Sequence, residues 1–322
     1  MIAPGREGAE ATGYANIALI KYMGKRDPAR NEACNPSLSY TLPHLRTIVV
    51  VAPAAESRDR WQPLQRNGTE PEPLTEQARE RFLRYARKLC DLWGHPDPII
   101  VQSASNFPAD AGIASSASSF SALTMAVASL LRRPESTEEL ARLSRAASGS
   151  SCRSFFGPWC VWDGERIGSL EFPLGPLLHM VVIVDAGRKS VSSSEAHRRV
   201  LTSPEFAGRP DRARSRLQSL CEALEHCDWR SAHAISAAEY IDMHTLFHTS
   251  VPPFRYRTSD SEAVVRDCEE LWRTHGDGPI VTMDAGPNVH LLFRQDQRAM
   301  AARVRECFAR SYSIVASDLG AA

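Results

Sequence analysis

An apolar, β-branched run, Ile99-Ile100-Val101, leads into the stretch Phe107-Pro108-Ala109-Asp110-Ala111-Gly112-Ile113-Ala114-Ser115-Ser116-Ala117-Ser118-Ser119, which opens an amphipathic helix. This succession of strand, small-residue loop and helix constrains the fold more than any other part of the chain. Small residues let the backbone approach an anion, and the unpaired N–H groups at a helix start carry partial positive charge toward it. The loop therefore reads as a phosphate cradle whose serine hydroxyls add donors and a magnesium ligand. It lacks the closing Gly-Lys-Ser/Thr of a P-loop and the spaced glycines of a dinucleotide fingerprint. An ordinary Ser-capped helix is the competing reading.

With 322 residues the chain is long enough for two lobes or one large α/β domain. Lys+Arg and Asp+Glu balance at 38 each, which argues against nucleic-acid binding but leaves room for a local basic pocket. The eight cysteines are scattered, with no C-x-x-C pair and no zinc spacing, and read as free thiols of a cytoplasmic protein. Residues 1–13 lack the apolar core of a signal peptide, and no run of about 18 apolar residues occurs, so a membrane partner is not expected.

In chain order, residues 1–11 are expected to fray. Tyr14 to Arg26 reads as a strand running into a basic loop around Gly24, either a solvated surface or a converging cation site. Residues 35–42 and 46–52 read as a strand pair turning at Pro43-His44, and 53–75 as a polar, Pro-rich surface excursion. Helices are predicted over 75–93, from Ser116 to about 132, and over 136–147, the last opened by the capping box Ser136-Thr137-Glu138-Glu139. Ser148 to Ser154 is a second small-residue loop, and its Arg153 suits a carboxylate or phosphate, or pairs with one of the protein's own acids. Residues 159–172 read as a hairpin and 179–184 as a strand. A third cationic, hydroxyl-rich loop follows at 185–194, and residues 203–248 are mostly helical. Asp284-Ala285-Gly286-Pro287-Asn288 is a turn between two strands, and taken alone Asp284 reads as structural. Together, one phosphate loop, three cationic hydroxyl-rich loops and one strand-turn carboxylate suit phosphoryl transfer.

The chain also resembles the diphosphomevalonate decarboxylases of the GHMP kinase superfamily from about Tyr14 to Phe293. The resemblance is carried by Ala15-Asn16-Ile17-Ala18-Leu19-Ile20-Lys21-Tyr22 with Gly24-Lys25, by Gly112 to Ala117, and by Ser148-Gly149-Ser150 with Arg153-Ser154. Met243-His244 with Pro252-Pro253-Phe254, and Met283 to Asn288, complete it. It implies a two-lobed α+β GHMP kinase fold, with lobes taken as 1–185 and 186–322, a homodimer, ATP and Mg2+ as cofactors, and mevalonate 5-diphosphate as the substrate decarboxylated to isopentenyl diphosphate. By the same resemblance Asp284 orients or deprotonates the 3-hydroxyl, Arg153 holds the substrate carboxylate, and Lys21 and Asn16 shape the reaction centre. Ala18, Tyr22, Lys25, Ser148, Ser150, Ser193 and Ser194 would contact substrate. Gly112, Ile113, Ala114, Ser115, Ser116, Ala117 and Ser118 would bind ATP, with Ser116 on the metal. Met23, Asp110, Ser194 and Ala196-His197 depart from the family's usual residues, and they bear on the substrate's phosphorylation state more than on the reaction type. A GHMP-type small-molecule kinase or decarboxylase acting on mevalonate or mevalonate 5-phosphate, and a non-catalytic phosphometabolite-binding protein, are the alternative readings.

Overall fold

The computed structural model describes residues 8–66, 74–107, 115–187 and 190–319. Its first half is built on β1 (Ala9–Ile20), followed by the short pair β2 (Lys25–Asp27) and β3 (Glu32–Ala33), and then β4 (Ser37–Pro53). Next come β5 (Arg60–Pro63), α1 (Glu76–Leu92), β6 (Ile99–Ser105), α2 (Ser115–Leu130), α3 (Thr137–Ala147), β7 (Trp159–Asp163) and β8 (Arg166–Leu170). The second half contains β9 (Leu178–Ile183), α4 (Ser193–Arg199), α5 (Arg209–Glu225), α6 (Trp229–Thr249), α7 (Ser259–His275), β10 (Ile280–Met283), β11 (Val289–Phe293), α8 (Arg298–Ala309) and β12 (Ser313–Ala316).

The first sheet has the order β5-β6-β4-β7-β8, with β1 paired antiparallel along β4. The strand pair predicted over 35–52 is instead one strand. Its first part pairs with β7 and its last part with β6, while β1 runs beside both. Pro43 does not turn the chain because the β1–β4 register slips there, from Ala15 opposite Leu42 to Tyr14 opposite Arg46. An exposed proline in such a bulge interrupts no ladder bond. The predicted fraying also fails at Ala9 to Ala11, which pair with Val49 to Val51, and the surface excursion contains β5, parallel to β6.

α2 lies directly on β1. A Cβ on Gly13 would stand 2.1 Å from the Ser118 carbonyl oxygen, so only glycine lets helix and strand meet at this distance. α1 starts at its Thr75 cap and buries Phe82, Tyr85 and Leu89 against α2 and the sheet.

The second sheet has the order β10-β11-β9-β12 and is packed by α6, α7 and α8. β9 bonds to β11 and β12, which are in this sheet. We therefore propose that the lobes divide within 171–177, ahead of the 185 expected from sequence. One apolar cluster joins the lobes, with Ile17, Leu19 and Leu42 of the first packed among Val181, Leu220, Ile280 and Leu292 of the second. Among the described residues no helix is long and apolar enough to cross a membrane.

Candidate active site

A cleft of about 980 Å³ opens between the lobes. β1 delivers Lys21 to its floor, because the strand's apolar residues to Ile20 are buried and the chain leaves the sheet at the next residue. The β10–β11 turn brings Asp284 from the other lobe, and Lys21 Nζ donates to Asp284 Oδ1 at 2.6 Å. Lys21 is 3% exposed and Asp284 28%, so the ammonium stays behind while the carboxylate reaches the cleft. Burial alone would raise the Asp284 carboxyl, but the charges of Lys21, His290 and Arg153 together hold it below its ordinary value. Burial pulls the Lys21 ammonium down, against the opposing pull of Asp284.

Both residues are also held by their main chains. The Asp284 carbonyl accepts from Gly286 N at 2.8 Å and from His244 Nε2 at 3.1 Å. Lys21 N–H donates to Glu239 Oε1 at 2.9 Å, and the Lys21 carbonyl accepts from Arg209 Nη2 at 2.6 Å and Asn35 Nδ2 at 2.9 Å. Glu239 and Arg209 are an ion pair with no exposed side-chain surface, and they come from α6 and α5 of the second lobe. This brace was not read from the sequence.

Arg153 lies in a short helical turn, Gly149–Phe155, that follows α3. Asn16 sits behind it: its Oδ1 accepts from Arg153 Nε at 3.2 Å and Nη2 at 3.0 Å, while its Nδ2 donates to Ser154 Oγ at 2.8 Å. Arg153 lines the cleft, and among the described residues no carboxylate holds it; its side-chain partners are Asn16 and Ser37. Asn16 is 2% exposed and does not line the cleft, so it acts through Arg153.

Tyr22, Lys25, Ala18, Ser148, Ser150, Ser193 and Ser194, which the resemblance assigns to substrate contact, all line the cleft. Gly149 allows Ser148 and Ser150 to come this close to Tyr22, since a Cβ there would lie 2.4 Å from the Tyr22 hydroxyl. Arg81, on α1, also lines the cleft and was not read from the sequence; its guanidinium donates to the Ala147 carbonyl at 2.5 Å. Burial lowers both Arg81 and Lys25, the charge of Arg81 lowers Lys25 further, and neither has a carboxylate partner among the described residues.

Of the predicted nucleotide loop, Gly112, Ile113 and Ala114 lie outside the described residues. Ser115 and Ser116 line the cleft, and Ser116 Oγ is 3.1 Å from Ser148 Oγ. Ala117 and Ser118 do not. At 100° per residue they face the sheet, both without exposed surface, and the Ser118 hydroxyl is 2.8 Å from Thr47 Oγ1. Ser119 instead faces a side cavity of about 260 Å³, shared with Ser115 and Ser116 and walled by Leu74, Phe82 and Phe120. Met23 is buried in an apolar cluster with Val191, Met243 and Phe254.

This arrangement provides an ionised carboxylate on a lysine, an arginine facing the same space, and hydroxyls beside cations that have no carboxylate partner among the described residues. It suits removal of a proton from a substrate that carries a carboxylate and phosphates. Known proteins agree with it. Residues 13–169 match the model of the diphosphomevalonate decarboxylase-like N-terminal domain, and residues 179–317 that of the mevalonate 5-diphosphate decarboxylase C-terminal domain. Diphosphomevalonate decarboxylase mvd1 of Aspergillus fumigatus is 33% identical over 92% of this chain and 80% of its own length. A mevalonate diphosphate decarboxylase structure from Legionella pneumophila superposes with a TM-score of 0.88 at 41% identity, over 96% of this chain and 100% of that one. A structure described as MDDEF in complex with MVAPP, AMPPCP and magnesium superposes at 0.84 and 28% identity, over 97% and 96% of the two chains. With both lobes matched in order by models of this family and a relative 33% identical over most of the chain, this chain belongs to the diphosphomevalonate decarboxylase family.

Proposed function

We propose that the chain catalyses the ATP-dependent decarboxylation of mevalonate 5-diphosphate to isopentenyl diphosphate. The observation that carries this reading is the Lys21–Asp284 ion pair in one cleft with Arg153 and with the cations Lys25 and Arg81, which have no carboxylate partner among the described residues. When bound, ATP with magnesium supplies the phosphoryl group that makes the 3-hydroxyl a leaving group. The residues present fit it. Ser115 and Ser116 open α2, which has no acid in its first turn, and the adjoining apolar cavity suits a base. Among the described residues no cluster of three His, Cys, Asp or Glu could hold a metal, so magnesium would rest on phosphate oxygens and the Ser116 hydroxyl.

Asp284 takes the proton of the 3-hydroxyl, and Lys21 keeps it ionised for that task. Arg153, oriented by Asn16, grips the substrate carboxylate until the carbon–carbon bond breaks, its electron pair forms the double bond and phosphate departs. Tyr22, Lys25, Arg81, Ser148, Ser150, Ser193 and Ser194 hold the phosphates and polar groups. The eight free thiols support a cytoplasmic setting. A homodimer follows from the family resemblance and is tested by sedimentation. The assay for the reaction follows ADP and carbon dioxide together, from ATP, magnesium and mevalonate 5-diphosphate. Equal release of both supports the reading, whereas ADP without carbon dioxide would make the chain a kinase.

A further inference from the structure

His197 enters the cleft from α4, in the second lobe, yet its contacts are with the first. Its Nδ1 accepts the Gly24 main-chain N–H at 3.1 Å, and its ring stacks on Tyr22 with centroids 4.6 Å apart and planes at 20°. Burial, reinforced by the nearby charge of Lys25, holds the imidazole down at about 3, so it is neutral at physiological pH. A neutral ring that accepts at Nδ1 carries its proton on Nε2. That N–H has no hydrogen-bond partner among the described residues, and the ring lines the cleft.

The surroundings define what it would meet. Lys25 and Arg81 line the same cleft without carboxylate partners among the described residues, and Tyr22 stacks on the ring. Glu195, on the same helix, is turned onto Arg198 and Arg199, with Arg198 Nε donating at 2.8 Å and Arg199 Nε at 2.6 Å. A neutral donor beside cations that carry no carboxylate among the described residues adds direction without adding charge, which suits a phosphate oxygen already neutralised by its neighbours.

We propose that His197 is a specificity-determining residue whose Nε2–H donates to the terminal phosphate of the substrate, so that the cleft distinguishes a diphosphate from a monophosphate. The proposal rests on the substrate reading above. The competing role for the ring is a latch that ties α4 to Gly24 and nothing more.

Two substitutions separate these roles. His197→Asn keeps an oxygen near the position of Nδ1, to accept from Gly24, but places no donor at Nε2. His197→Gln carries an amide N–H out toward Nε2 and gives up the acceptor for Gly24. The readout is the ratio of KM for mevalonate 5-phosphate to KM for mevalonate 5-diphosphate, with kcat measured alongside. Loss of one hydrogen bond to a charged acceptor lowers this ratio roughly tenfold or more in His197→Asn, at nearly unchanged kcat, while His197→Gln retains most of it. An unchanged ratio in His197→Asn overturns the proposal. So does loss in both variants alike, or in His197→Gln alone, since either outcome assigns the effect to the latch. If the wild-type enzyme turns over neither substrate, the substrate reading fails, and calorimetric binding of inorganic pyrophosphate against orthophosphate decides about His197. A wild-type preference for pyrophosphate that His197→Asn abolishes supports the donor, and an unaltered preference overturns it.

Discussion

Asp284 must be charged to accept a proton, and in this cleft its charge depends on one neighbour above the others. Burial opposes ionisation, and Lys21 at 2.6 Å is the leading group that reverses it. Asp284→Ala removes the acceptor and is expected to lower kcat by several orders of magnitude while ATP affinity changes by less than about threefold. Turnover close to wild type would take Asp284 out of the mechanism. Lys21→Met leaves the carboxyl buried without its main compensating charge. The sign follows directly: in the wild type the low carboxyl value keeps activity until pH falls well into the acid range, and in the variant the acid limb of kcat moves to higher pH. A pH profile of the residual activity checks this, and an unmoved acid limb would show that Lys21 does not sustain the charge. Both residues were legible in the sequence through the motifs around them. What keeps Lys21 in place was not, because Glu239 and Arg209 lie about 200 positions away and no local pattern links them to it.

At the scale of elements, the site depends on how closely segments approach. The turn after α3 touches Tyr22 at Gly149, where a Cβ would stand 2.4 Å from the hydroxyl and 2.9 Å from the ring. Gly149→Ala is therefore expected to push Tyr22 off its stack with His197, raising substrate KM by about tenfold with the fold retained. Steady-state kinetics beside a circular dichroism melt test this, and an unchanged KM would show that Tyr22 yields freely. Element existence was readable where periodicity or capping was strong, as for α1 with its Thr75 cap and α3 with its Ser136 capping box. It failed where partners are distant in sequence. Pro43 between two apolar runs looks like a turn, and only the bulge against Tyr14 and Ala15 makes a single strand of them. α2 shows the limit for site residues. The helix was read from Ser116 and is seen from Ser115, but five consecutive small residues carry no mark of which side faces the cleft, so Ser118 looked as available as Ser116. Arg81 was missed because the periodicity that defines α1 marks its apolar face, and this cation lies at that face's edge beside the Phe120 ring.

Across the whole molecule, the lobes are joined by more than the active site. His44 of the first lobe bonds to His179 of β9 at 3.1 Å, and His179 bonds on to His290 of β11 at 3.0 Å, a row of imidazoles spanning the two sheets. Burial holds His44 at about 4 and His179 well below its ordinary value, and it likewise holds His233 at about 4 and His197 and His244 at about 3. In the unfolded chain these groups protonate near pH 6.5, whereas in the fold they stay neutral to much lower pH. Between those values the unfolded state binds more protons, so stability rises with pH and is lost as pH falls below about 6.5. Each fully shifted histidine contributes up to about 1.4 kcal/mol per pH unit in that window. Carboxylates begin to protonate only nearer pH 4 to 5, so a loss between pH 7 and 5.5 belongs to the imidazoles. The melting temperature is accordingly expected to fall by several degrees over that interval. Because Ile17 and Leu19 share one core with Leu220 and Leu292, it should fall as a single transition of both lobes. Calorimetry at pH 7.5, 6.5 and 5.5 makes the measurement. A flat melting temperature would show that His44, His179, His197, His233 and His244 are not held neutral by burial, and two separating transitions would mean that the shared core does not couple the lobes.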